Sequence, residues 1–348
     1  MKAMRQVVFP PDSLGCTDGA LRLPFWLAAE EWVATRLPAG EYLFTWTVEP
    51  TVIIGRNQDI DLEVDLDYCR EHGIDVCRRR SGGGCVYADR HNIMISFVSD
   101  GTDVQRVFAA FAARVAGQLR KMGFDACVSG RNDVLVDGRK ISGGAFYRLP
   151  TRSIVHSTML FDTDIDTMTR AITPSRGKLL SKGVTSVEQR IVTAAQVMPG
   201  ITMADFHAGL LDGLCNGQPY VVTDDDVACI RQLERRYYAD EWLYGRRHKG
   251  ATVRSARIDG VGLVTAHITL GADGRIAAVR FTGDFFDPNG GGAERLADCL
   301  TGVATDQASL SAALARVPVP ECIANLTADA LARLLSGSHE KPDATPRH

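Results

Sequence analysis

The order of helical and strand-like segments is the feature that most constrains the fold of this chain. Pro24 opens an apolar stretch at helical spacing, residues 25–33, and Pro38-Ala39-Gly40 ends it, so we expect a helix of about three to four turns. Further helical and strand-like runs follow at 42–46, 51–55, 65–73, 92–98 and 103–123. Because they mix without a strict strand–helix–strand rhythm, the sequence predicts an α+β fold rather than a doubly wound parallel sheet.

The C-terminal part of the chain reads as a second, smaller α+β domain. Alternating strands at 252–258, 263–270 and 276–282 precede helical stretches at 294–300, 307–314 and 328–335. The composition changes at 245–250, which indicates a linker. We therefore expect a large domain of mixed β-sheets flanked by helices at 1–248, a small domain at 249–337, and a disordered tail at 338–348.

Charge and cysteine content exclude several classes of protein. The net charge of -3 over 348 residues argues against general nucleic-acid binding, which needs excess positive charge. The nine cysteines are scattered without a Cys-x-x-Cys pair, so neither a disulfide framework nor a zinc site is expected. Since no run approaches the roughly 18 to 20 apolar residues of a membrane span and no signal peptide is evident, we expect a cytoplasmic protein that uses no membrane.

Two segments carry candidate chemistry. Arg78-Arg79-Arg80 precedes Ser81-Gly82-Gly83-Gly84, where backbone amides lie beside guanidinium groups. About fifty residues on, Asp137-Gly138 predicts a two-residue hairpin turn that leads to Lys140. Alone, the first segment is more often a surface turn and the second a polar hairpin tip. Together they suit a site that holds a carboxylate against a phosphate, as an acyl-adenylate enzyme requires.

Strict alternation along the hairpin predicts where its side chains point. Lys140 and Ser142 would share one face, and Arg139 and Ile141 the other. If Ile141 faces the core, Arg139 also points inward, which is wrong for an exposed hairpin. The conflict resolves if the face of Lys140 lines a cavity.

The order of several motifs resembles that of the lipoate-protein ligases within the biotin and lipoate ligase superfamily. The family pattern Arg-Arg-x-Ser-Gly-Gly-Gly matches residues 78–84, and the following Val-Tyr-x-Asp-x-x-Asn matches 86–92. The resemblance spans about residues 5–335, with further matches at 25–31, 54–58, 130–133, 140–145, 156–160 and 182–186.

The resemblance implies a two-step reaction with ATP, Mg²⁺ and lipoate or octanoate. The acid first forms an acyl-adenylate, and a lysine of a lipoyl domain then takes the acyl group. By resemblance Lys140 is the catalytic residue, and the adenylate would be bound by Arg79, Ser81, Gly82, Gly83, Gly84, Val86, Tyr87, Asn92, Asn132, Asp133 and Lys182. Lipoate would contact Arg79, Gly84, Lys140, Ser142, Gly143 and His156, and Asp133 would contact the metal.

Some of these residues also have purely structural explanations. Asn132-Asp133 is also a common simple turn, His156 on an apolar strand is often only hydrogen-bonded structure, and Lys182 is otherwise a solvated lysine. The sequence departs from the family pattern at Ala88, at His91 where glycine is usual, and at Ser157. A histidine at position 91 would be strained if that site needs a positive φ.

Two alternatives to an ATP-dependent ligase remain open. An octanoyl or lipoyl transferase that works through a cysteine thioester would need an activated thiol, and Cys85 after the glycines is the near candidate. A divergent, non-catalytic lipoyl-binding paralogue would keep the fold without turning over ATP. The expected partners are lipoyl domains of 2-oxoacid dehydrogenase E2 subunits or the glycine cleavage H protein, and we expect a monomer.

Overall fold

The computed structural model describes residues 3–14, 21–130, 132–172, 190–245 and 251–337. The chain divides into two compact units. The first comprises Met1–Arg56, Ile60–Arg80 and Cys85–Gly245, and the second Asn57–Asp59, Ser81–Gly84 and Arg246–His348. The second unit thus includes two short loops from the N-terminal part of the sequence.

The described part of the first unit contains strands β1 to β11 and helices α1 to α10. The strands are Met4–Val8, Glu41–Trp46, Thr51–Ile54, Asp75–Arg78, Val86–Ala88, Asn92–Ser99, Ala126–Ser129, Asp133–Val136, Arg139–Leu149, Arg152–Leu160 and Gly217–Val221. The helices are Pro11–Leu14, Leu23–Arg36, Ile60–Glu63, Leu66–Glu71, Val104–Lys121, Ile165–Ala171, Ala194–Val197, Met203–Leu214, Asp224–Glu234 and Asp240–Tyr244, with a 3-10 turn at Arg235–Tyr238.

An eight-stranded mixed sheet forms the framework of the first unit. Its strand order is β11-β1-β2-β6-β10-β9-β8-β7. The pairs of β1 with β11 and with β2 are parallel, whereas the remaining neighbours in this order, from β2 through β6, β10, β9 and β8 to β7, pair antiparallel. Helix α2 packs against α9 and β6, and α5 packs against β9 and β10. The core contains the stacked rings of Trp26 and Trp46, 5.8 Å between centroids.

A second sheet of the first unit has the order β4-β3-β5. Its central strand separates two hydrophobic cores by simple alternation, because Val52 and Ile54 belong to one core and Ile53 to the other. Strand β4 runs parallel to β3 and ends at Arg78. The three arginines therefore begin at the last residue of this strand.

The second unit has its own sheet and core. Strands β12 (Thr252–Ile258), β13 (Gly262–Leu270) and β14 (Ile276–Gly283) form an antiparallel meander. Helices α11 (Gly292–Leu300), α12 (Gln307–Leu314), α13 (Val319–Cys322) and α14 (Ala328–Ser336) follow, and the sheet and helices share one hydrophobic core. The predicted strands and helices of this part are confirmed to within two residues at each end.

The α+β prediction is confirmed for both units. The predicted first helix is α2, with proline at its start, and the stretch 103–123 is α5, which Asp103 caps by accepting a hydrogen bond from the Arg106 amide at 3.1 Å. Across the described residues, no helix combines the length and apolarity that crossing a bilayer requires.

Candidate active site

The predicted Asp-Gly turn is present between β8 and β9. Asp137 and Gly138 both have positive φ, 50° and 75°, as a two-residue turn between twisted strands requires. Beyond the turn, Val136 pairs with Arg139 and Leu135 with Lys140, but Val134 pairs with Ser142. Ile141 is thus an extra residue in β9, and this bulge interrupts the strict alternation on which the prediction for Lys140 and Ser142 rested.

A segment far along the chain fixes the backbone of Lys140. The Lys140 amide donates to the Arg190 carbonyl at 2.8 Å, and the Val192 amide donates to the Lys140 carbonyl at 2.9 Å. This parallel bridge between Lys140 and Ile191 covers the residue on the side away from β8. Both backbone hydrogen-bonding groups of Lys140 are therefore held by residues some fifty positions later.

The Lys140 ammonium forms an ion pair with Asp133. Its Nζ lies 2.7 Å from Asp133 Oδ1, and the Lys140 side chain is 22% exposed. On the other carboxylate oxygen, Arg190 Nη2 lies 3.2 Å from Oδ2. One carboxylate thus carries two cations, one on each oxygen.

Gly143 makes room for this arrangement. A β-carbon at position 143 would lie 2.3 Å from Lys140 Nζ and 2.5 Å from its Cε, so the lysine side chain crosses the surface that the glycine leaves bare. Asn132 extends the pairing of β8 with β9, since its carbonyl accepts from the Gly144 amide at 2.8 Å and its Nδ2 donates to the Gly144 carbonyl at 2.9 Å. The predicted residues Asn132, Asp133, Lys140 and Gly143 are therefore brought together.

The three arginines at the end of β4 have different surroundings. Arg78 donates to the carbonyls of Gly55, Arg56 and Leu243, so it connects the residues after β3 with helix α10. Arg80 forms an ion pair with Glu31 at 2.7 Å. Arg79 is buried and donates from Nη1 to the Ile53 carbonyl at 3.0 Å. Burial lowers the pKa of its guanidinium to about 10, with Cys85 and Glu30 acting in the opposite direction.

His156 belongs to a buried polar network centred on Glu30. Its Nδ1 lies 3.0 Å from Glu30 Oε1, and Ser96 Oγ donates to the same oxygen at 2.7 Å. Trp46 Nε1 in turn donates to Ser96 Oγ at 2.8 Å. Tyr147 lies 3.5 Å from Glu30 Oε2, and burial, followed by the charge of Glu30, raises the pKa of its phenol well above the usual value.

Tyr87 and Asn92 pack into the first unit. Tyr87 is buried on β5, and burial raises the pKa of its phenol. Asn92 Nδ2 donates to the Tyr87 carbonyl at 3.3 Å and to Thr163 Oγ1 at 3.2 Å. Val86, on the same strand, is half-buried. His91 does not have a positive φ, so the strain considered for a histidine at this position does not arise.

The triple-glycine loop lies in the second unit. The Gly83 amide donates to the Phe285 carbonyl at 3.2 Å, and Gly83 has a φ of 90°. A β-carbon at position 82 would lie 2.3 Å from the same carbonyl oxygen, so the close approach of two backbones requires glycine there. Ser81 is fully buried and Gly84 half-buried. In this structure one predicted adenylate-binding amide is therefore occupied by the protein itself.

Two further predictions concern Lys182 and the metal contact of Asp133. Lys182 lies outside the described residues. No cluster of three or more metal-binding side chains occurs in the described part of the chain, so Asp133 is not one of three such ligands there.

Sequence reasoning missed Glu30 and Arg190 as members of these clusters. Two adjacent carboxylates in an apolar helix were a usable signal for Glu30, because buried carboxylates need partners. Arg190 gave no comparable local signal, since its link to Lys140 is a long-range backbone bridge.

Comparison with known proteins identifies the family. Residues 24–215 match the lipoyl protein ligase A/B catalytic domain, and residues 251–335 match the bacterial lipoate protein ligase C-terminus. The lipoate-protein ligase LplJ of Bacillus subtilis (strain 168) is 33% identical, with 86% of this chain and 93% of that protein covered. Lipoate--protein ligase 1 of Staphylococcus aureus is 31% identical, with 89% and 95% covered.

Solved structures agree on the fold. The structure of LipL1 of P. falciparum in complex with lipoate has a TM-score of 0.75 at 17% identity, covering 96% of this chain and 98% of that one. A bi-partite lipoate protein ligase from Thermoplasma acidophilum has a TM-score of 0.60 at 25% identity, covering 72% and 99%. On these matches, which include both of its parts, the chain belongs to the lipoate-protein ligase family.

Proposed function

We propose that this chain activates lipoate or octanoate with ATP and transfers the acyl group to a lysine of a lipoyl domain. Family membership supports the reaction class, and the observation that carries the assignment is the fixed position of Lys140. Its backbone is bridged on one side by residues 190–192 and paired with β8 on the other, and Gly143 leaves room for its side chain. Because the backbone is already fixed, only the side chain of Lys140 has to turn from Asp133 to the substrate.

In the first step a carboxylate oxygen of the acid attacks the α-phosphorus of ATP, and pyrophosphate leaves. Lys140 offsets the charge that builds up between carboxylate and phosphate, an effect worth about 3 kcal/mol in a preorganised site. In the second step the carrier's lysine amine attacks the acyl carbonyl and AMP leaves, while the same ammonium stabilises the departing phosphate oxygen.

The first unit supplies the other groups that we assign to the acyl-adenylate. Arg79 keeps its charge at neutral pH, because its lowered pKa of about 10 is still well above 7. His156 and Ser142 are buried on neighbouring strands of the large sheet, and we assign both to the acyl end. We retain Asn132 and Asp133 as nucleotide-side residues, together with Val86, Tyr87 and Asn92, and Lys182 by resemblance alone.

Magnesium fits this site only as a partner of the nucleotide. No group of three or more metal-binding side chains occurs among the described residues, and Mg²⁺ commonly binds one or two carboxylates, such as that of Asp133, together with substrate phosphates. When bound, the ion would neutralise phosphate charge.

The glycine loop and the second unit complete the proposal. We assign the amides of residues 81–84 to the adenylate phosphate by resemblance, and the Gly83 amide must first leave the Phe285 carbonyl. We propose that residues 1–248 carry out the chemistry and that residues 249–337 form an accessory domain. The carrier is proposed to be an E2 lipoyl domain or the glycine cleavage H protein; the Thermoplasma ligase is described together with its E2 lipoyl domain. A cytoplasmic monomer remains our proposal.

Pyrophosphate release without a carrier tests the proposed function. The purified protein with ATP, Mg²⁺ and lipoate should release pyrophosphate and form lipoyl-AMP. A thioester transferase acting through Cys85 would instead load acyl groups from an acyl carrier without ATP. Absence of ATP-dependent release, with acyl transfer from a carrier retained, would overturn the ligase assignment.

A further inference from the structure

Asp133 pairs with two cations that come from different segments of the chain. Lys140 reaches Oδ1 across Gly143, and Arg190 reaches Oδ2 from the segment that bridges the Lys140 backbone. The Asp133 side chain is 15% exposed and the two cations 22% and 23%. At this depth charges interact more strongly than on an open surface, so a change in the position of one charge affects the energy of the other two.

Substrate binding must change the pairing of Lys140 with Asp133. An acyl-adenylate adds negative charge where Lys140 acts, and the ammonium cannot remain fully committed to Asp133 while it contacts carboxylate and phosphate. Once the ammonium turns away, the Asp133 carboxylate would be a second anion beside the substrate. Two negative charges placed close together repel each other, and this repulsion would raise the energy of the charged intermediate.

We infer that Arg190 is a positioning residue that keeps Asp133 neutralised when Lys140 turns to the substrate. This inference rests on the proposed function, since it assigns Lys140 to the adenylate. Arg190 acts through Asp133 and has no direct contact with substrate in this role. Its guanidinium stays on Oδ2, so the cluster exchanges one partner of Asp133 without exposing an unpaired carboxylate.

The first test replaces Arg190 and follows pyrophosphate release with ATP and lipoate. Arg190→Gln should lower kcat by about tenfold or more, the size expected for one partly buried charge interaction, with a smaller change in KM. Arg190→Lys should restore most of the rate because it keeps the positive charge. An unchanged kcat in Arg190→Gln would overturn the inference.

The second test asks whether Arg190 acts through Asp133. In an Asp133→Asn background there is no carboxylate to neutralise, so adding Arg190→Gln should change kcat by less than about twofold. An equal loss in both backgrounds would show that Arg190 acts independently of Asp133. Arg114→Gln serves as the matched control, since Arg114 pairs with Glu41 at 2.9 Å and similar exposure, 20% and 18%. It should leave kcat unchanged.

A third readout does not depend on turnover. The rate at which acetic anhydride acylates Lys140, followed by mass spectrometry without ATP or lipoate, reports how firmly the amine is held. Asp133→Asn should speed this labelling, and Arg190→Gln should slow it because the carboxylate then pairs more strongly with the Lys140 ammonium. The reverse order would overturn the charge sharing. If wild-type protein releases no pyrophosphate but the labelling order holds, the proposed function fails and the cluster stands.

Discussion

At the scale of single residues, the site depends on how one ammonium is held. Lys140 is fixed through its backbone by the bridge to Ile191 and through its side chain by Asp133. The backbone restraint does not depend on the side-chain ion pair. Removal of the side chain leaves the backbone hydrogen bonds in place, so chemistry and folding can be tested independently.

Lys140→Ala should fold normally and lose adenylate formation. Loss of a preorganised charge of this kind lowers kcat by about 10²- to 10³-fold. Pyrophosphate release measures the loss, and the thermal midpoint checks the fold. Arg139→Ala is the control, because Arg139 precedes Lys140 on the same strand but is exposed. Pyrophosphate release at the wild-type rate from Lys140→Ala would remove this residue from the mechanism.

Gly143→Ala should displace the lysine without unfolding the chain. The added methyl would meet the flexible end of Lys140, which can move away at little cost in stability but then leaves Asp133. We expect kcat to fall by about tenfold or more with little change in the free energy of unfolding. Gly144→Ala makes the contrast, since its β-carbon would lie 2.6 Å from the Phe108 ring and should lower stability instead. Equal stability losses in both variants would contradict this reading.

The sequence predicted part of this cluster for physical reasons. The turn at Asp137-Gly138 is local, because two residues that tolerate positive φ suffice to form it. The bulge at Ile141 could not be predicted in the same way, since it coincides with the bridge to residues 190–192. The ion pair of Lys140 with Asp133 likewise depends on pairing between strands. The sequence therefore predicted the local turn but not the pairing between distant segments.

At the scale of elements, α2 joins several parts of the first unit through two buried carboxylates. Glu30 contacts His156 on β10 and Ser96 on β6, and Glu31 pairs with Arg80 and with Arg236 in the 3-10 turn. Sequence alone predicted the helix and its length well. It could not give the partners, because they come from strands and turns that are distant along the chain.

Glu31→Ala should therefore destabilise the protein strongly. The change leaves Arg80 without its carboxylate partner on α2 and removes the acceptor of the buried Tyr237 hydroxyl, so we expect a loss of about 1–3 kcal/mol in the free energy of unfolding. Urea denaturation measures this loss. Glu71→Ala, at the exposed end of α4, is the control and should stay within about 0.5 kcal/mol of wild type. A similarly small effect of Glu31→Ala would show that the buried pairs are not coupled to folding.

At the scale of the whole molecule, each unit carries its own hydrophobic core. The division into a large and a small α+β part was visible in the sequence from the composition change and the C-terminal strand pattern. The assignment of residues 57–59 and 81–84 to the second unit was not, because it rests on backbone contacts such as that of Gly83 with Phe285. The glycine motif thus folds with a part of the chain some two hundred residues away.

Ligand-dependent stability of the whole protein should identify the acid. A ligand that binds the folded state stabilises it by mass action, by about 2.7 kcal/mol at a hundredfold excess over its dissociation constant. With ATP and Mg²⁺ present, we expect lipoate to raise the thermal midpoint and biotin to leave it unchanged, with octanoate measuring tolerance of the acyl chain. In Lys140→Ala the shift should shrink, since in the proposed function the ammonium bridges acid and nucleotide. A larger shift with biotin than with lipoate would contradict the substrate assignment even though the fold would be unaffected.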